Sequence, residues 1–343
     1  MKPPKKSTTK PILFLIGILT LFQINRCLSQ TEISGYVFSA KDSTAIYSGS
    51  VYFDGTSIGV STNKDGYFDI QFKENNSPLI ISSMGYESVI IRSEALKTSK
   101  TLNPIYLTEK IEDLETVYIE IDTLSRSRKL ELFKQEFLGK SEAADLCDII
   151  NEDAIKLRYI PSTKTLSASA NTALIIENHY LGYRLRYNLR DFEITYKTIN
   201  QDLAIPAAIH YHGFSFFQPI ANKISRKILR NRKRSYLGST LHFMRALYTN
   251  TLNKNDFEIL DNYIKVPPET YFEITDINQI KQVKLLVDHV IIRYKIYEQS
   301  KLFVNDIFTI DDSGHHSPPE AIHLKGKMSA KRISEQLPLG YKP

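Results

Sequence analysis

Ile33-Ser-Gly35-Tyr-Val37 opens the stretch on which the fold turns. The stretch continues through Gly49-Ser-Val51-Tyr-Phe53-Asp-Gly55-Thr56 and Val60-Ser-Thr62-Asn-Lys-Asp65-Gly66-Tyr-Phe68 to Met84-Gly85-Tyr86. Short apolar alternations are broken by Asp-Gly, Asn and Gly about every ten residues, the spacing of a small antiparallel sandwich. Phe68, Ile70 and Phe72 alternate with Tyr67, Asp69 and Gln71, which assigns one face of that strand to a core and the other to solvent. Ile33-Gly35-Val37 and Gly49-Val51-Phe53 repeat the pattern. Asn63-Lys-Asp65-Gly66 reads as a hairpin turn in which Gly66 supplies the positive φ. Leu79-Ile-Ile81, Val89-Ile-Ile91 and Ile105-Tyr-Leu107 bring the count to about seven strands in under about ninety residues.

Upstream of this unit lies a leader. Lys2, Lys5, Lys6 and Lys10 precede the apolar run Ile12–Phe22, which falls short of the roughly 20 residues a spanning helix needs and matches a signal-peptide core. Cys27 and Ser29 are small residues at the −3 and −1 positions of a cut between Ser29 and Gln30. Residues 1–29 are therefore expected to be a signal peptide, with a retained anchor as the alternative. Arg26 argues against lipid attachment at Cys27. The leader also carries much of the charge. Of 44 lysines and arginines, five lie in residues 1–29, which hold no acid; removing them leaves 39 against 38 acidic side chains. A nucleic-acid partner is not expected from so balanced a chain. Cys147 is then the only thiol, so stability rests on core burial rather than a disulfide. With Ala143, Ala144 and Ile150 near it at helical spacing, it reads as a buried structural cysteine.

Beyond residue 110 the periodicity changes. Residues 111–125 read as a linker and 126–343 as an α+β domain with segregated helices and strands. Leu130, Phe133 and Phe137 make a helix stripe that Gly139 closes, and Ser141 with Glu142 starts a second short helix. Ile155–Ile160 and Leu174–Ile176 read as strands. Ile220, Ile224 and Ile228 read as another helix stripe, and a further helix spans about Ser239 to Tyr248. Val290 to Ile296 is expected to be one strand, and Leu302, Val304, Phe308 and Ile310 another.

The N-terminal stretch resembles the carboxypeptidase-like regulatory domain on Gly35-Tyr-Val37, Gly49-Ser-Val51, Gly55-Thr56, Thr62-Asn-Lys-Asp65-Gly66-Tyr-Phe68 and Gly85-Tyr86. The resemblance implies a transthyretin-like sandwich over residues 30–110. Such modules are appended to peptidases or placed ahead of TonB-dependent outer-membrane receptors, and carry no catalysis of their own. Phe137-Leu-Gly139-Lys-Ser141, Leu181-Gly182-Tyr183, Tyr236–Leu247 and Leu337-Pro-Leu-Gly-Tyr341-Lys-Pro343 resemble the region that follows the sandwich in a group of exported bacterial proteins without established activity. Lys327-Met328 departs from that group, where an aromatic is expected.

The peptidase itself is not expected. None of the eight histidines has Glu three residues on, and no His-Glu-x-x-His occurs. No phosphate loop, dinucleotide fingerprint or Gly-x-Ser-x-Gly elbow is present, so no cofactor is expected. His210-Tyr-His212 would begin a metal site on one strand face but lacks a third ligand, and no metal site is assigned. Asn63 and Asp65 offer too few oxygens for calcium and read as turn chemistry. His315-His316 beside Asp311 and Asp312 reads as a solvated turn. The segment richest in chemistry is Tyr236–Arg245, in which Ser239, His242 and Arg245 recur every third residue. Tyr236, Ser239, His242 and Arg245 are the candidate binding residues, and a polar network fixing the helix to a sheet is the simpler reading. Lys223, Arg226, Lys227, Arg230, Arg232 and Arg234 would meet lipid phosphate or lipopolysaccharide, with a solvated helix face as the plainer account. The function expected is that of an exported, non-enzymatic protein of the periplasm or outer membrane that binds an envelope protein or glycan. The alternatives are a hydrolase built around His242 and an accessory to a TonB-dependent receptor.

Overall fold

The computed structural model describes residues 31–72, 76–96, 100–110, 120–200 and 203–343. The expected signal peptide, its cut between Ser29 and Gln30, and residues 111–119 of the expected linker lie outside these.

The chain is mostly β, arranged in several sheets. Strands β1 (Thr31–Ser39), β2 (Ser50–Phe53), β3 (Gly59–Ser61), β4 (Tyr67–Phe72), β5 (Leu79–Ser82), β6 (Val89–Ile91) and β7 (Ile105–Leu107) build the N-terminal unit. They form one sheet in the order β4-β1-β7 and another in the order β3-β2-β5-β6. β1 runs antiparallel to β4, with Gly35 opposite Phe68, and parallel to β7, with Val37 opposite Ile105. Ile33, Val37, Phe68 and Ile70 from the first sheet meet Val51, Phe53, Leu79 and Ile81 from the second, and all are buried. Gly66 has φ +73°, and a Cβ there would lie 2.4 Å from the Val37 carbonyl oxygen, so both backbone and space demand glycine at this turn. The turn is not the expected hairpin: β3 pairs with β2 and β4 with β1, so it carries the chain from one sheet to the other. Asn63 Oδ1 accepts the N–H groups of Asp65 and Tyr67, each at 2.9 Å, which spends the side chain on the turn.

β2 and β5 are buried on both faces. Val51 and Phe53 point into the sandwich, while Tyr52 and Ile80 form a second cluster with Phe214 and Phe216 of the next unit. That double cover explains the unbroken Leu79-Ile-Ile81 run, since a strand covered on both faces has no solvent side to mark with polar residues.

The next unit is a six-stranded sheet of β8 (Cys147–Ile149), β9 (Ile155–Ile160), β10 (Thr165–Ala170), β11 (Leu174–Asn178), β12 (Tyr183–Ile199) and β13 (Ala204–Pro219). β12 and β13 make a long antiparallel hairpin with bulges near Leu189/Asp191 and at Tyr196. Helix α1 (Arg126–Phe137), capped by the Ser125 hydroxyl on the Arg128 N–H, lays Phe133 and Phe137 on Tyr187 and Phe192. Gly139 follows at φ +104°. Glu142–Asp145 is the short second helix, whereas Cys147 lies on a strand and not at helical spacing. It is buried, as expected, and burial pushes its thiol up to about 12.

Helix α2 (Arg226–Tyr236) starts after the Ser225 cap, so Ile220 and Ile224 precede it and the three-isoleucine stripe does not form. Helix α3 (Thr240–Tyr248) leads to the last unit. Here one sheet runs β15-β14-β18-β19-β22 and another β16-β17-β20-β21. Their strands are β14 (Phe257–Asp261), β15 (Ile264–Val266), β16 (Phe272–Ile277), β17 (Ile280–Leu285), β18 (His289–Tyr294), β19 (Glu298–Val304), β20 (Phe308–Ile310), β21 (His316–Ser317) and β22 (Ile322–Gly326). β18 ends at Tyr294, short of Ile296. Leu302 and Phe308, expected in one strand, belong to β19 and β20 in different sheets. Phe243, Met244 and Leu247 of α3 fill a core with Phe257, Ile292 and Leu302 that is separate from the one around Phe137 and Phe192. Most buried apolar residues from Arg126 onward thus fall into two clusters, with Phe214 and Phe216 in the one shared with Tyr52 and Ile80.

Candidate functional site

The candidate residues at the start of α3 converge, but inward. Gly238 takes φ +69°, and a Cβ there would lie 2.7 Å from the Tyr294 ring. The Ser239 hydroxyl accepts the His242 main-chain N–H at 3.1 Å, the bond of an N-cap. The His242 imidazole is only 4 % exposed. Its Nδ1 accepts the Gly238 N–H at 3.2 Å, so Nε2 carries the proton and donates to Asn255 Oδ1 at 3.1 Å. Asn255 is oriented in turn by donating to the Thr251 carbonyl and hydroxyl, both at 2.9 Å. The rings of Tyr236 and Phe257 lie 4.7 and 4.8 Å from the imidazole, and burial lowers its pKa. Arg245 spends its guanidinium on three carbonyls: Nε on Ser313 at 2.8 Å, Nη1 on Tyr341 at 2.7 Å and Nη2 on Leu339 at 2.7 Å.

Ser239 and His242 therefore meet through the cap, not through hydroxyl and imidazole. Both ring nitrogens and the whole guanidinium fork are engaged by the protein. The arrangement is a latch: it holds α3 against the segment Leu337–Tyr341, whose Leu339 N–H reaches the Gly55 carbonyl at 2.7 Å and whose Tyr341 ring lies 5.7 Å from Tyr236.

The hairpin register sets Asp191 opposite His212 and brings Asp191 Oδ2 to 3.3 Å from His210 Nε2, an acid that sequence spacing conceals. Among the described residues no group of three or more His, Cys, Asp or Glu side chains is placed to hold a metal ion. His315 and His316 are partly buried rather than solvated, and burial drops His316 to about 4. Beside them Asp311 is buried, its Oδ1 accepting the Ser313 N–H at 2.9 Å and the His315 N–H at 3.1 Å.

The basic stripe does not face solvent throughout. Arg232 is turned inward, 5 % exposed, donating through Nε to the Leu181 carbonyl at 2.8 Å and lying 3.9 Å over the Tyr183 ring. A guanidinium occupied this way is not at the surface. Lys223, Arg226, Lys227, Arg230 and Arg234 are exposed.

A feature that sequence reasoning did not single out lies on the outer face of the β4-β1-β7 sheet. Tyr67, Tyr36, Phe38 and Tyr106 form a row, with ring centroids 5.2 Å apart for Tyr67–Tyr36, 6.1 Å for Tyr36–Phe38 and 5.9 Å for Phe38–Tyr106. Tyr36 is 44 % and Tyr106 50 % exposed. Glu32, Asp69 and Gln71 continue the same face, and the hydrogen bond and negative charge of Asp69 raise the Glu32 pKa. The signal was the alternation itself: Tyr36, Phe38, Tyr67 and Tyr106 occupy positions that period two assigns to solvent.

Comparison with known proteins bears on the N-terminal unit. No curated protein matches the chain. Among solved structures, a C-terminal interface mutant of a type II cohesin–X-dockerin complex from Acetivibrio cellulolyticus is similar at 18 % identity, covering 36 % of this chain and 83 % of that one with a TM-score of 0.21. A DUF3823 family protein from Bacteroides ovatus is similar at 12 % identity over 57 % of this chain and 83 % of that one, TM-score 0.18. Another from Parabacteroides merdae gives 12 %, 56 %, 82 % and 0.17 respectively. Scores this low carry neither fold nor activity across. Residues 33–119 match the family model of the CarboxypepD_reg-like domain. The chain thus carries a carboxypeptidase-like regulatory domain, at residues 33–119.

Proposed function

We propose that this is an exported, non-enzymatic protein of the periplasm or outer membrane, in which the seven-stranded, transthyretin-like regulatory domain binds glycan on its outer sheet face. The supporting observation is the aromatic row Tyr67–Tyr36–Phe38–Tyr106, two members of which are about half exposed. Aromatic side chains left in water on a flat sheet lose the benefit of burial, so they suit a ligand that covers them. The C–H face of a pyranose does so: its weakly positive hydrogens meet the negative π-face of the ring. Asp69, Gln71 and Glu32 stand beside the row with acceptors and donors for sugar hydroxyls. The latch around His242 supports a non-catalytic role, because its ring nitrogens are already bonded.

A glycan array probed with residues 30–343 tests this, followed by titration of any hit against Tyr36→Ala and Tyr106→Ala. Each substitution should weaken binding by about tenfold, the worth of one stacked aromatic contact of ~1.4 kcal/mol. An array without hits, or variants that bind like the parent, would remove the glycan reading.

A further inference from the structure

A second surface, independent of the aromatic row, is formed by α2 and the segment entering it. Lys223, Arg226, Lys227, Arg230, Lys233 and Arg234 are exposed there. Among the described residues the ion pair in this cluster is Arg234 with Glu142 at 3.7 Å, both side chains well exposed. Six cations with one ion pair between them stand out in a chain whose basic and acidic side chains from residue 30 on number 39 and 38.

The placement of the charge runs against the helix. Arg226 and Lys227 occupy its first turn, which has no acid, so they sit at the positive end of the helix dipole. An external anion relieves both that repulsion and the repulsion among the cations. The inner face is fixed: Asn231 Nδ2 donates to the Tyr180 carbonyl at 3.0 Å, Arg232 holds the Leu181 carbonyl, and Ile228 lies against Gly182. The helix is thus mounted rigidly with its basic side outward.

Apolar side chains lie among the cations. Leu229 is 51 % exposed, three residues after Arg226 and four before Lys233, hence on the same outer face; Ile220 and Ile224 are exposed just ahead of the helix. Phosphate-seeking cations interleaved with aliphatic residues match a lipid interface, where headgroups and acyl chains are met together. A nucleic-acid face would favour aromatic or amide side chains that reach bases, and α2 presents none outward.

We propose that this face, Lys223 to Arg234 with Ile220, Ile224 and Leu229, rests on an anionic phospholipid bilayer. The test uses residues 30–343, which contain the whole described fold, with vesicles of pure phosphatidylcholine and of phosphatidylcholine with phosphatidylglycerol. Co-sedimentation is expected with the anionic vesicles only, weakening as salt rises. Arg226→Gln, Lys227→Gln and Arg230→Gln together should lower the affinity about 100-fold, at about fivefold per cation removed, with an unchanged thermal midpoint. Leu229→Ser with Ile224→Ser should leave a weaker, more salt-sensitive association. Equal binding to both vesicle types, no binding to the anionic ones, or a triple variant that binds like the parent would overturn the proposal. Tighter retention on lipopolysaccharide or on a mixed-sequence oligonucleotide than on phosphatidylglycerol would also overturn it.

Discussion

The Asp54 carboxylate accepts the main-chain N–H of Ser215 at 2.7 Å, across the junction between the sandwich and the long hairpin. Around this bond the Gly55 N–H donates to the Ser215 carbonyl at 2.8 Å and the Phe217 N–H to the Thr56 carbonyl at 2.9 Å, so the loop after β2 adds a short parallel bridge to β13. Burial pushes Asp54 up to about 6, against the opposing pull of the Ser215 and Gly55 N–H groups. Its folded pKa therefore lies above the unfolded value of 3.8. The contribution it makes to stability is complete below 3.8 and is lost as pH rises through about 6. Asp54→Asn keeps an acceptor oxygen and removes the charge. Its thermal midpoint should exceed the parent's by a few degrees at pH 7.5, with the gain vanishing near pH 4; a midpoint below the parent's at both pH values would contradict this.

His316 works in the opposite sense over much the same window. Burial holds its folded pKa at about 4, below the usual 6.5, so its contribution is present above 6.5 and fades as pH falls through about 4. In the parent protein the two slopes oppose each other. Denaturant titrations from pH 4 to 7 should find Asp54→Asn more acid-sensitive than the parent and His316→Asn less so. Parallel profiles for all three proteins would sink the idea.

Arg245 is expected to be intolerant of its nearest chemical relative. Arg245→Lys keeps the charge but loses the fork that reaches Ser313, Tyr341 and Leu339 together. The cost should be about 1–3 kcal/mol, since at least one partly buried carbonyl is left without its donor. Hydrogen exchange at the Leu339 amide, which the Gly55 carbonyl holds, should quicken in the variant. An unchanged exchange rate there would mean that the segment Leu337–Tyr341 is held by something other than Arg245.

How far the residues announced all this depends on whether their partners were local. The sandwich strands, Gly66 and the Asn63 turn are written within a few residues of one another and could be read directly. Ile80 was legible as apolar, but its second face is covered by Phe214 and Phe216, more than 130 residues away. Arg232 looked like one more surface cation because the Leu181 and Gly182 carbonyls that bury it arrive from another element. Ile220 and Ile224 matched a helical period, yet the extended β13 runs to Pro219 and the Ser225 cap starts the helix after them. Met328, at a position expected to be aromatic, is buried, and its N–H donates to the Ser300 hydroxyl at 3.0 Å. In the candidate site the residue types were right for a network, but the direction in which they point was set by Asn255 and the carbonyls of distant loops.

The junction itself supplies the last expectation. Tyr52, Ile80, Phe214 and Phe216 form a cluster of their own, with the Tyr52 and Phe216 rings 5.2 Å apart. Gly59 makes the approach feasible, because a Cβ there would come within 2.7 Å of the Phe216 ring. The sandwich core around Phe53, Phe68 and Leu79 contains none of the Phe216 contacts. Phe216→Ala should therefore cost about 3–5 kcal/mol, the usual range for emptying a buried phenylalanine site, and the loss should fall on docking more than on either core. Calorimetry should show one endotherm in the parent protein and two in the variant, as the sandwich and the remainder cease to unfold together. Phe53→Ala, which empties the sandwich core instead, should lower the sandwich transition without restoring coupling when combined with Phe216→Ala. A single endotherm in Phe216→Ala, merely shifted down, would mean that the main-chain bonds at Gly55, Thr56 and Ser215 hold the two units together without the aromatic cluster.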